Sequence, residues 1–103
     1  MICLDFSVDK QILKKSPNFP KVIRGSKGVL ECHFIFGDEW ATYAVSAIFQ
    51  GENKAIQIVT VENSTCLVPD SVTDGRYFFI KLIGAKSTEQ YTYTNTLIID
   101  QEE

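Results

Sequence analysis

The chain has 103 residues, 45% hydrophobic, 12% aromatic and 22% charged, which suits one globular domain with a single core and excludes an intrinsically disordered chain. Ten basic against thirteen acidic residues leave a net charge of −3, and the one dense basic run, Lys14-Lys15 with Lys10, Lys21, Arg24 and Lys27 loosely around it, is too thin for a phosphate-binding surface. No stretch approaches the roughly 20 apolar residues that span a bilayer, and the first ten residues lack the plan of a signal peptide, so neither nucleic acid nor membrane is an expected partner.

Ile2, Leu4, Phe6 and Val8 alternate with Cys3, Asp5, Ser7 and Asp9, and this period of two predicts a strand from the first residues. Residues 14–20 read as a connection, because Pro17 and Pro20 cannot donate to a ladder. A short edge strand is predicted at 21–24 and a turn at 25–28. A strand follows at 29–36, with Leu30, Cys32, Phe34 and Phe36 on one face. Gly37-Asp38-Glu39 ends it, and Trp40 opens a strand over 41–50 whose inward set is Tyr43, Val45, Ala47 and Phe49. Turns at 51–53 and 62–64 read as hairpins into strands at 54–61 and 65–68, an antiparallel meander.

Pro69 stops that run, and residues 70–74 are predicted as one helical or 3-10 turn with Gly75 at its exit. Strands at 76–84 and 91–99, joined by a polar loop at 85–90, close a single domain over 1–100, and residues 101–103 read as a frayed tail. Seven or eight short strands without a helical period predict an all-β antiparallel sandwich in preference to a small barrel. Both faces of the 76–84 strand are apolar, with Tyr77, Phe79 and Ile83 opposing Phe78, Ile80 and Leu82. Its outer face is therefore expected to meet a partner or a covering loop.

Cys3, Cys32 and Cys66 are odd in number and lack C-x-x-C spacing, which favours synthesis in a reducing cytoplasm and leaves a Cys3–Cys32 or Cys32–Cys66 bridge open. His33 is the only histidine. It points away from Cys32 on a strand, and a zinc site would need Cys3 or Cys66 to converge on it with an acid, which no spacing indicates. No metal and no cofactor are expected. Asp38-Glu39 and Asp70 with Asp74 lie at turns, where carboxylates cap and solvate the backbone, so no catalytic pair is read. Asn63-Ser64-Thr65 matches a glycosylation sequon but reads as a turn. Tyr91 and Tyr93, two apart, share a face; with Tyr77 and Phe79 they form the candidate interaction face, whose alternative use is stacking on sugar. Trp40, Phe49, Cys66, Phe78 and Ile80 are assigned to the core.

The segments Phe19-Pro20, Arg24-Gly25-Ser26, Phe34-Ile35-Phe36-Gly37-Asp38-Glu39-Trp40, Ala47-Ile48-Phe49, Cys66-Leu67-Val68-Pro69, Gly75 through Gly84 and Thr94-Asn95 together resemble small immunoglobulin-like domains of the tail and baseplate modules of phages and prophages of Gram-positive bacteria. The resemblance covers about 19–99; the first strand has no counterpart in it, and the 69–75 segment is shorter than in similar domains. It implies an immunoglobulin-like sandwich without catalytic activity, made in the bacterial cytoplasm and carried in the virion. Its partners would be other tail or baseplate proteins or a second copy of itself. It further implies that Phe49 and Cys66 lie on neighbouring strands and that Gly84 permits a turn or bulge. A carbohydrate- or host-surface-binding module using the exposed tyrosines is the alternative.

Overall fold

Period-two patterning organises the chain into ten strands, in a computed structural model that describes residues 1–103. They are β1 (Ile2–Asp9), β2 (Ile12–Lys15), β3 (Val22–Ile23), β4 (Leu30–Phe36), β5 (Ala44–Gly51), β6 (Ile56–Thr60), β7 (Thr65–Leu67), β8 (Tyr77–Ala85), β9 (Tyr91–Tyr93) and β10 (Leu97–Glu102). One sheet has the order β2-β1-β4-β7; the other runs β3-β10-β8-β5-β6, with β9 also paired to β8. Single 3-10 turns at Asp38–Trp40 and Asp70–Val72 complete the secondary structure. No helix is long and apolar enough to cross a membrane.

The inner faces of the two sheets supply one core. Leu4, Phe6 and Val8 of β1 and Leu30, Cys32 and Phe34 of β4 are buried with Ala47 and Phe49 of β5, Phe78, Ile80 and Leu82 of β8, and Ile99 of β10. Each large side chain withdrawn from water contributes on the order of 1.5–3 kcal/mol. Neighbouring rings in the series Phe19, Phe6, Phe34, Phe36, Trp40 and Tyr43 have centroids 5.2 to 5.8 Å apart. Trp40, only 3% exposed, lies in that series.

Several expectations are corrected. Residues 12–15 form β2, hairpinned to β1 through Lys10 at φ 55°. No glycine or asparagine announces this turn; groups far along the chain hold it. The Lys10 N–H donates to the Glu39 carboxylate, and its carbonyl accepts from the Trp40 indole N–H at 2.7 Å. Trp40 accordingly ends a 3-10 turn and does not begin a strand. The sandwich is not purely antiparallel, because β1 runs parallel to β4 and β3 parallel to β10.

The expected meander breaks after β6. Asn63 and Ser64, at φ 53° and 60°, reverse the chain, and β7 leaves β6 to pair with β4 in the other sheet. Phe49 and Cys66 therefore sit in different sheets. The last long strand is interrupted between β9 and β10, where the Thr94 hydroxyl accepts from Leu82 N–H at 2.9 Å and Asn95 turns to the opposite sheet. Its Oδ1 accepts from Leu13 N–H at 2.6 Å and its Nδ2 donates to Leu13 O at 3.2 Å. Gln101 and Glu102, expected to fray, are strand residues paired with Val22 and Ile23. The buried Gln101 amide also donates to Val72 O and Gly75 O.

Candidate functional site

Arg24, Lys27, Glu39, Asp70 and Asp74, singled out in the sequence, hold turns. Lys27 Nζ donates to Asp74 Oδ1 and to Asp70 O, each at 2.8 Å, while Asp70 Oδ1 accepts from Gly28 N–H at 3.0 Å. Arg24 donates to Asp74 O and pairs with Glu103. Asp70 and Asp74 thus tie the 25–28 turn to the second 3-10 turn, and Glu39 caps Lys10. The Lys10 and Glu39 backbone N–H groups hold the Glu39 carboxyl below its usual range, its own N–H contributing most.

Cys32 and Cys66 face each other in register on β4 and β7, both buried and both free thiols. The hydrogen bond that the Cys32 thiol shares with Cys66, followed by burial, pushes the Cys32 thiol well up, the direction that suppresses thiolate chemistry. Cys3 pairs in register with Glu31 on the outer face, so the open possibility of a Cys3–Cys32 bridge is closed by the strand alternation. Glu31 and His33, also facing outward, meet there with His33 Nε2 2.7 Å from Glu31 Oε1. The sulfur, a carboxylate oxygen and an imidazole nitrogen of Cys3, Glu31 and His33 all lie within 4.8 Å of one another. This convergence, which no spacing indicated, arises from the parallel register of β1 on β4.

The other outward surface is apolar. Tyr77, Phe79, Lys81 and Ile83 follow one another along the outer face of β8, and Tyr93 pairs with Ile83. The four ring residues share this face but form two separate pairs. Tyr77 and Phe79 meet edge to face at 5.4 Å, and Tyr91 and Tyr93 do so at 6.0 Å. From Tyr77 to Ile83 the strand rises about 20 Å. Tyr77 and Phe79 are half-buried, whereas Tyr91 and Tyr93 are exposed. Between the two pairs, Lys81 Nζ stands 5.1 Å from the Tyr93 ring centroid.

Isoleucines extend the face beyond the aromatics. Ile98 of β10 pairs with Phe79, Ile48 of β5 with Lys81, and Ile58 of β6 with Ile48. Ile56 is 58% and Ile58 65% exposed. No strand covers the far edge of β6, every residue of which is at least partly exposed. Its sequence, Ile-Gln-Ile-Val-Thr, has no proline or charge to blunt that edge. The alternating isoleucines were the available signal; they read only as a hairpin arm because a strand's place at an edge is not encoded in its own residues. A shallow depression of about 270 Å³ lies in the same face, lined by Ile48, Gln50, Phe79, Lys81 and Thr96.

Comparison with protein-family models, with curated proteins and with solved structures returned no match.

Proposed function

We propose that this chain is an immunoglobulin-like, non-catalytic component of a phage or prophage tail or baseplate that docks another tail protein through the β6 edge and the adjoining sheet face. The phage context is supported by the sequence resemblance. The immunoglobulin-like reading is supported by the β6-β5-β8-β10 order with β3 parallel to β10, opposite a sheet in which β4 pairs β7. The observation that carries docking is the free β6 edge with Ile56 and Ile58 exposed beside it. A partner strand added there would gain main-chain hydrogen bonds, and its side chains would cover the isoleucines. An isologous pairing centred on the face would oppose two Lys81 ammoniums, so a different protein with an acidic group opposite Lys81 suits the face better than a second copy.

The test mixes the chain with the structural proteins encoded by the neighbouring reading frames and follows complex formation by size-exclusion chromatography with light scattering. A complex is expected, lost on Ile58→Lys and weakened by Tyr91→Ala with Tyr93→Ala, since aromatic anchors carry much of an interface's energy. A chain that binds none of these proteins overturns the reading. The depression around Phe79, with Gln50, Lys81 and Thr96 on its rim, favours carbohydrate as the second reading. A calorimetric sugar signal abolished by Phe79→Ala or by the double tyrosine change would establish it in place of docking.

A further inference from the structure

We propose that Cys3, Glu31 and His33 form a three-ligand site for a divalent transition-metal ion of the zinc type on the outer face of the four-stranded sheet, with the fourth position open to solvent. The backbone builds the triangle: Cys3 on β1 lies directly opposite Glu31 on β4, and His33 follows Glu31 by two residues on the same face. Their donor atoms already lie within 4.8 Å of one another. Zinc bonds of about 2.0–2.3 Å in tetrahedral array place donors about 3.3–3.7 Å apart, so convergence asks only for small side-chain rotations. Those rotations are available, because Cys3 is exposed and the other two are half-buried at the surface.

Donor chemistry selects the ion class. Calcium and magnesium take oxygen ligands, whereas thiolate with imidazole and one carboxylate suits zinc or cobalt. His33 Nε2 and Glu31 Oε1 share a hydrogen bond at 2.7 Å; a metal held by both groups takes the place of the proton between them, which passes to Nδ1 or to solvent, and the cysteine thiol gives its own proton to solvent. Across the strands their neighbours are Asp5, opposite His33 on β1, and Thr65 and Leu67 on β7. None of these three is cationic, and Asp5 adds negative charge. Bound metal would join the first strand to the body of the sandwich and present one free coordination position outward.

The experiment is a cobalt titration of the full chain, reduced and stripped with chelator, read by absorption, with zinc binding followed by calorimetry. One cobalt per chain is expected, with a thiolate-to-metal charge-transfer band and the ligand-field bands of a tetrahedral ion, displaced by zinc. Cys3→Ser should abolish the charge-transfer band, and His33→Asn and Glu31→Gln should each weaken zinc binding at least tenfold. All three substitutions are at the surface, and circular dichroism verifies their fold. Cobalt that stays octahedral in the wild-type chain overturns the proposal. So does a Cys3→Ser chain that binds zinc as tightly as wild type, which would place the metal elsewhere, including at Cys32 and Cys66.

Discussion

Trp40 occupies the space left by the missing side chain of Gly84: a Cβ at Gly84 would fall 2.7 Å from Trp40 Cζ3 and 3.1 Å from Tyr43 Cβ. Gly84 is neither in a turn nor at a bulge; it lies inside β8, paired with Val45 on one side and Thr92 on the other. Its small size, and not its backbone freedom, is what the fold uses. Gly84→Ala is expected to destabilise the domain by about 1–3 kcal/mol through overpacking, and Trp40→Ala by about 3–5 kcal/mol through the cavity and the lost bond to Lys10. The two losses should not add, because removing the indole makes room for the new methyl. Chemical denaturation of the two single variants and the double variant measures this; strict additivity would show that the indole relaxes away from the methyl at position 84.

Asn95 acts as a piece of strand. With its amide satisfying both backbone groups of Leu13, Asn95→Ala leaves a buried residue's N–H and C=O short of partners. A loss of about 1–3 kcal/mol is expected, together with faster amide exchange at Leu13 than at its β2 neighbours. Exchange at Leu13 that matches wild type would mean that water replaces the side chain at no cost.

Glu52 is clamped by Arg76, whose Nη2 stands 2.5 Å from Oε2 and whose backbone N–H donates to Oε1 at 2.7 Å. The guanidinium hydrogen bonds, and then that backbone N–H, pull the carboxyl from 4.5 down to about 2. A carboxyl with a lowered folded value takes up protons more readily in the unfolded chain. Its stabilising effect is therefore complete above the ordinary value of 4.5 and is lost as pH falls from there through about 2. In a carboxyl-carbon NMR titration Glu52 should show a midpoint near the low value, and Arg76→Gln should raise it toward the ordinary one. A midpoint indifferent to Arg76→Gln would refute the clamp.

The three cysteines should differ sharply in reactivity. Alkylation of the folded chain is expected to modify Cys3, which is exposed, and to spare buried Cys32 and Cys66, Cys32 additionally because its thiol is held protonated. Peptide mapping after a short exposure distinguishes this from uniform labelling, which would indicate that β7 opens readily.

The inner faces were readable in the sequence because period-two alternation reports burial directly: Leu4, Phe6 and Val8, or Phe78, Ile80 and Leu82, need no partner to declare their side. Pairing was not readable. That Ile2 lies opposite Leu30 in parallel register, or that Thr65 meets His33 and not β6, depends on contacts between distant segments. The same reason hid the approach of Cys3 to His33 and the place of Ile56 and Ile58 at an edge. Lys10 shows the limit in miniature: its turn is imposed by Trp40 and Glu39, and no residue near it carries the signal. Tyr91 and Tyr93 lie two apart opposite Ala85 and Ile83, and their separation from Tyr77 and Phe79 follows from the length of β8.

The parallel pairing of Val22 with Gln101 has a consequence for synthesis. Val22 and Ile23 have no sheet neighbour until residues 101–102 emerge, so on the ribosome the larger sheet stays open along that side. During that interval β5 and β6 already present their isoleucines, and the two open margins could capture another nascent chain. Closure of β3 onto β10 then pairs Gln101 and Glu102 on that side, while the β6 margin, with Ile56 and Ile58 beside it, stays open in the folded molecule.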